Sequence, residues 1–218
     1  MAEPLTLYTY FRSSAAYRVR IALNLKGLKA DYRFIHLLKD GGQQHGETYK
    51  AINAQELVPT LIDNGHAIGQ SLAIIEYLEE THPEPPLFPK EALPRARVRQ
   101  IAYAIACDIH PVNNLRVLQR LKRDFDARDD KRMDWQRHWI SLGFAAIETL
   151  LTLSSETGAY CHGNMPTLAD ICLIPQMANA RRVNLDLTPY PTLLRIEQTA
   201  LTHPAFAAAQ PMEQPDAE

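Results

Sequence analysis

The stretch YFRSSAAYRVRIAL, residues 10–23, follows the short apolar run LTLYT (5–9) and opens a helix, with Ser13 and Ser14 at its first positions. A strand that turns directly into a helix brings hydroxyls and unpaired backbone N–H groups to one place. A helix N-terminus also carries partial positive charge, so this corner favours an anion, such as a thiolate. The only cysteines are Cys107, Cys161 and Cys172, none near the turn and none in a C-x-x-C pair. Sulfur chemistry at this corner therefore requires a sulfur brought by a cofactor. The ordinary role of paired serines at a helix start is capping, and that reading stands beside the binding one. Arg12, just before the turn, is placed to meet an anionic ligand; Arg18 and Arg20, further along the helix, read as solvated.

Working outward, residues 5–80 have a mixed texture. Gly27 sits where the first helix needs a C-terminal cap, and DYRFIHL (31–37) reads as a second strand. A Gly- and Gln-rich loop (40–46) leads to a short helical piece ending near Asn53. LVPTLID and HAIG flank Asp63-Asn64-Gly65, and Asn-Gly supplies the positive φ angles of a tight hairpin turn. SLAIIEYLEETH then closes the unit as an amphipathic helix. The order β-α-β-α-β-β-α fits a thioredoxin-like layer of sheet and helices. Pro59 cannot donate to a ladder, so it marks either a strand entry or a cis-proline that presents the Val58 backbone to a peptide-like ligand. Gln70-Ser71, at the next helix start, forms a second anion-favouring corner.

Five of the fifteen prolines fall at positions 83, 85, 86, 89 and 94, which marks a linker. The expected organisation is a thioredoxin-like domain over 1–84, a linker over 85–94, and an all-α domain over 95–218 with a disordered tail from about 210. Thr167 and Asp170 form an N-capping box at a helix start. In CDIHPVNNLRVL (107–118), Pro111 removes a helical hydrogen bond and predicts a kink, while Asp108, His110, Asn113, Asn114 and Arg116 crowd two turns. That polar density reads as a pocket wall. It lacks the ligand spacing of a metal site, so no metal is expected. Arg181-Arg182 near a helix end either complements the helix dipole or clamps a carboxylate.

Composition narrows the classes. A hydrophobic fraction of 46% over 218 residues supports a real core, and a net charge of −2 offers no field for nucleic acid or an anionic membrane surface. No apolar run approaches the ~18 residues of a membrane span, and no signal-peptide pattern opens the sequence. Three scattered cysteines argue against a disulfide framework. A cytoplasmic protein is the expectation.

Taken together, FRSSAAYRVRIALNLKG (11–27), LVPTL (57–61), QSLAIIEYLEE (70–80), DIHPVNNLRVL (108–118) and TLAD (167–170) resemble the zeta-class glutathione transferases, the family of maleylacetoacetate and maleylpyruvate isomerases. ARRVNLDLTPYP (180–191) is most similar to the bacterial maleylpyruvate isomerase branch. One departure is that Ala15 stands where the family often has a cysteine. The resemblance implies a cytoplasmic homodimer with glutathione as cofactor and a dicarboxylate keto acid as substrate, isomerised through reversible addition of the thiol to its cis double bond. It matches Ser13 to the hydroxyl that activates the thiol, with Ser14 beside it. It matches Val58 to the backbone contact for the cysteinyl part of glutathione, and Gln70 and Ser71 to its γ-glutamyl end. His110 and Asn114 match the polar wall near the thiol, and Arg12, Arg116 and Arg182 the holders of substrate carboxylates. Competing expectations are a general conjugating glutathione transferase or peroxidase, and a non-enzymatic interaction module on the same fold.

Overall fold

The computed structural model describes residues 4–218. Two compact units divide the chain: one runs through Leu87 and takes back Thr202–Glu218, and the other is Phe88–Leu201.

The first unit contains β1 (Leu5–Thr9), α1 (Ser14–Leu25), β2 (Ala30–Phe34), α2 (Glu47–Lys50), β3 (Thr60–Asp63), β4 (His66–Gly69) and α3 (Ser71–Thr81). The strands form one sheet in the order β2-β1-β3-β4. β1 pairs in parallel with β2, which requires the α1 crossover, while β3 and β4 are antiparallel. Leu5, Leu7 and Thr9 alternate with half-exposed Thr6 and Tyr8, the period of a strand with one face in the core. The hairpin forms on Asn64 (φ 47°) and Gly65 (φ 77°), the two positive angles its sequence demands. Helix α1 is capped at both ends. Ser13 Oγ accepts from the Ala16 N–H at 3.2 Å. Gly27, at φ 65°, lets the Leu28 N–H reach back to Leu23 O at 2.9 Å.

Three expectations need correction. β2 ends at Phe34, short of residue 37. The cause is its partner: β1 stops at Thr9, whose carbonyl takes a last bond from Ile35 N–H, and no ladder exists beyond it. Arg18 and Arg20 are not solvated but 2% and 1% exposed. α1 packs against α3 and also against a late short helix, Pro204–Ala207 (α10, below), so it is covered on two sides. The tail after 210 packs onto the first unit. Gln214 is buried and its amide donates to Ala208 O and Gln210 O, at 2.9 and 2.8 Å, while the Asp216 carboxylate accepts from Phe11 N–H at 2.9 Å. Polar composition implies disorder only where no backbone partner waits for those side chains.

The helices of the second part are α4 (Ala92–Tyr103), a π-helical run Ala104–Ile109, α5 (His110–Val112), α6 (Leu115–Phe125), α7 (Asp129–Thr152), α8 (Leu168–Arg182) and α9 (Pro191–Thr202), before α10 returns the chain to the first unit. α8 is buried all round from Leu168 to Met177, as the central helix of a bundle must be, and packs against α4. Its start carries the expected capping box. Asp170, wholly buried, accepts from the Thr167 N–H (2.8 Å), the Thr167 hydroxyl (3.0 Å) and the Cys161 N–H (2.7 Å). Those bonds hold its charge against a desolvation that pushes its pKa up.

Candidate functional site

In the first unit, strand register gathers the predicted residues at one end of the sheet. Tyr8 faces Thr60 across the antiparallel β1–β3 pair, so continuing that register sets Tyr10 opposite Val58. Thr60 faces Gly69 across β3–β4, which sets Pro59 beside Gln70. Tyr10, Phe11 and Val58 are in fact buried in one cluster with Tyr49. The β1–α1 turn, the Val58-Pro59 step and the Gln70-Ser71 corner therefore share one edge.

The first two corners leave polar groups for a ligand. At the α1 start, Ser13 N–H is spent on Tyr10 O and the Ser13 hydroxyl oxygen on Ala16 N–H. The Ser13 hydroxyl proton and the Ser14 and Ala15 amides have no acceptor among the described residues. Ser14 is buried; Arg12 is exposed, with its guanidinium 5.0 Å from the Phe11 ring centre. The Val58-Pro59 bond is cis. Tyr49 and Asn53 tie down both flanks: the Tyr49 hydroxyl meets Leu57 O (2.7 Å) and Thr60 Oγ1 (2.9 Å), and the Asn53 amide donates to the same two atoms at 2.9 Å. Val58 itself, between them, has neither N–H nor C=O bonded to the described residues. A buried chain rarely leaves such a pair unspent.

At the third corner, Gln70 holds a positive φ of 66° and its amide donates to Gln55 Oε1 at 2.8 Å. Ser71, buried, accepts from Arg18 Nη1 at 3.2 Å. That bond crosses from α1 to the first residue of α3 and sets a buried guanidinium at the start of that helix. Sequence reading missed Arg18, although a signal was present: Ser14 and Arg18 are four residues apart, hence on one helix face.

The second unit holds the other four predicted residues. His110, Asn114 and Arg116 share the break between the π-helical run and α6. The expected kink at Pro111 takes this form, with the helix widening before the proline and stopping after it. The break is pinned by the buried Asn113 amide on Ile109 O (2.9 Å) and by Trp135 Nε1 on Val112 O (2.8 Å). Gly143 of α7 contributes as well, since a Cβ there would collide with the Ile109 side chain. His110 and Asn114 are half-buried and Arg116 is exposed. Asn114 is an N-cap, its Oδ1 accepting from Arg116 N–H at 3.2 Å. Arg182, also exposed, ends α8. Its neighbour Arg181 is bound through both Nε (3.0 Å) and Nη2 to buried Glu197. Arg181 is thus a structural tie. A groove of about 550 Å³ beside β2, lined by Asn24, Leu28, Tyr32, Phe34 and Pro215 among others, contains none of the predicted residues. No helix among the described residues is long and apolar enough to cross a membrane.

Residues 7–86 match the family model of the glutathione S-transferase N-terminal domain. The chain is 49% identical over 213 residues to a probable maleylacetoacetate isomerase of Vibrio cholerae serotype O1, covering 98% of each. Among solved structures, it superposes with a TM-score of 0.95 at 44% identity on maleylpyruvate isomerase, described as a bacterial zeta-class glutathione S-transferase, covering 98% of this chain and all of that one. It superposes with a TM-score of 0.94 at 40% identity on the maleylacetoacetate isomerase of Methylobacterium extorquens AM1, solved with bound malonate and glutathione, covering 98% of this chain and 99% of that one. Identity along nearly the whole length, in both units, places this chain in the zeta-class glutathione transferase family, among the maleylacetoacetate and maleylpyruvate isomerases.

Proposed function

We propose that the chain is a glutathione-dependent cis-trans isomerase of a maleyl keto acid, maleylpyruvate or maleylacetoacetate, serving the breakdown of aromatic compounds or aromatic amino acids. The observation that carries the reading is the unspent Val58 peptide group lying at one sheet edge with two helix N-termini. A γ-glutamyl tripeptide fits that set: a peptide unit for Val58, an anionic end for Gln70-Ser71 and a thiol for Ser13. Bound glutathione supplies a thiol that adds reversibly to the activated double bond and leaves after the carbon–carbon axis has turned.

The protein's share is to hold charge. A free thiol with pKa about 8.5 is only slightly ionised at neutral pH. The Ser13 hydroxyl and the Ser14 and Ala15 amides are donors set at the positive end of α1, and they lower that pKa without a metal or a protein cysteine. Arg18, bonded to Ser71, adds positive charge at the Gln70-Ser71 corner. His110 and Asn114 act as polar wall groups, while Arg12, Arg116 and Arg182 hold substrate carboxylates and offset the enolate charge that develops after addition. None of the three cysteines is disulfide-bonded, and burial pushes the Cys161 thiol well up, so it is inert as a nucleophile.

Counting thiols during turnover tests the function. With glutathione far below the keto-acid concentration, all substrate is expected to convert to the trans product while the free-thiol titre stays constant. Loss of one thiol per substrate consumed identifies a conjugating transferase instead, and absence of glutathione binding identifies an interaction module. Running maleylpyruvate and maleylacetoacetate side by side assigns the substrate. The reading includes a cytoplasmic homodimer, so sedimentation at micromolar concentration should give twice the chain mass; a single-chain mass sinks the assembly.

A further inference from the structure

The tail and Arg20 converge on the turn that carries Arg12 and Ser13. Arg20, 1% exposed, donates to Thr9 Oγ1 (3.2 Å), Tyr10 O (3.3 Å), Phe11 O (3.1 Å) and Ala209 O (3.1 Å). It therefore ties the end of β1 and the turn to the chain after α10. From the tail side, Asp216 Oδ2 takes the Phe11 N–H at 2.9 Å. Both backbone polar groups of Phe11 are thus held, its carbonyl by a buried cation and its N–H by the tail. Ala217 packs against the cluster of Tyr10, Phe11, Tyr49 and Val58. Glu218 pairs with Lys39 and lies 3.5 Å from His36, fastening the last residue to the loop after β2. Burial lowers the Arg20 pKa to about 10, and Asp216 is among the groups that oppose that shift, so the guanidinium stays charged at neutral pH.

A two-sided hold of this kind has a chemical consequence two residues on. The Ser13 hydroxyl and the Ser14 and Ala15 amides point where the β1–α1 turn aims them, and small errors in aiming donors cost binding and ionisation. We infer that Asp216 is a positioning residue, and that residues 214–218 form a latch which clamps the β1–α1 turn in the geometry that receives the cofactor's thiol. This inference rests on the glutathione-site reading above. The latch acts through the Phe11 amide and touches neither cofactor nor substrate.

Asp216→Ala and Asp216→Asn, each in the full chain, separate the latch from general stability. In the unliganded protein, Asp216→Ala is expected to speed amide exchange over residues 10–16 by roughly tenfold, with exchange in α8 unchanged. In assays it should raise the glutathione KM by about fivefold with a smaller change in kcat. Asp216→Asn keeps a carbonyl oxygen for the Phe11 N–H and should bring both values back to within about twofold of the unaltered protein. The latch is overturned if Asp216→Ala leaves exchange over 10–16 unchanged. It is equally overturned if Asp216→Asn does as much damage as Asp216→Ala, since that assigns the effect to charge opposite Arg20 rather than to the held amide. Should the unaltered protein show no glutathione-dependent activity, the isomerase reading fails, and the exchange comparison still decides the latch.

Discussion

Arg182→Ala is expected to lower kcat/KM for the dicarboxylate keto acid by roughly 2–4 kcal/mol, the scale of a charge-assisted contact made where charge develops, while glutathione affinity stays nearly intact. Arg116→Ala should do the same. A guanidinium fork matches a carboxylate through two parallel N–H bonds, and both residues stand exposed at helix ends in the second unit. Arg181 supplies the internal control. Its guanidinium is already bound to Glu197, which raises its pKa chiefly through that hydrogen bond. Arg181→Ala should therefore lower the melting temperature, because it strands a buried carboxylate, and leave kcat/KM close to that of the unaltered protein. An Arg182→Ala enzyme that lost glutathione affinity and keto-acid turnover equally would move Arg182 out of the substrate site. If Arg181→Ala were the one that lost turnover, the assignment of the two neighbours would be reversed.

The tie at Arg181 could not be read from the sequence, because it depends on Glu197, which another helix brings to the end of α8. What was legible was local. The Asn64-Gly65 hairpin, the Gly27 cap and the Thr167–Asp170 box all act within a few residues, so their chemistry survives any tertiary context. The gathering of the β1–α1 turn, Val58 and Gln70-Ser71 was also within reach, since a β-α-β-α-β-β-α order places those connections at one sheet end. Arg20 was not legible. It reads as a surface arginine because arginine is rarely buried, and its burial depends on a carbonyl 189 residues away. The tail was misread for the same reason: Asp216 and Gln214 look like solvated polar residues until the Phe11 N–H and the Ala208 carbonyl are set before them. The isomer of the Val58-Pro59 bond likewise depends on surroundings that spacing does not encode.

Ser13→Ala tests whether this chain's own chemistry resides at the helix start. The Ser13 oxygen caps α1 through Ala16 N–H, so its proton is left to donate elsewhere. Removing the hydroxyl costs about 1 kcal/mol of cap stability. It also removes a hydrogen bond to a charged sulfur, on the order of 1.5–3 kcal/mol, which is a rise of one to two units in the thiol's pKa. The sign sets the pH profile. Below the original pKa the thiolate fraction falls by the full factor, roughly tenfold to a hundredfold, and above the new pKa the ionisation deficit closes. Titrating thiolate absorbance in the glutathione complex measures the shift, and Ser13→Thr, which keeps both cap and donor, should stay near the unaltered protein. Ala15→Cys restores the cysteine that the family often carries and is expected to leave the rate within about tenfold, 1.4 kcal/mol, because the reacting sulfur belongs to glutathione. A much larger gain would show that the family's cysteine takes part in the chemistry and that Ala15 leaves this chain impaired. If Ser13→Ala alters neither the titration nor the rate, Ser13 is a cap alone, and thiol activation passes to the Ser14 and Ala15 amides, the Ser14 hydroxyl and His110.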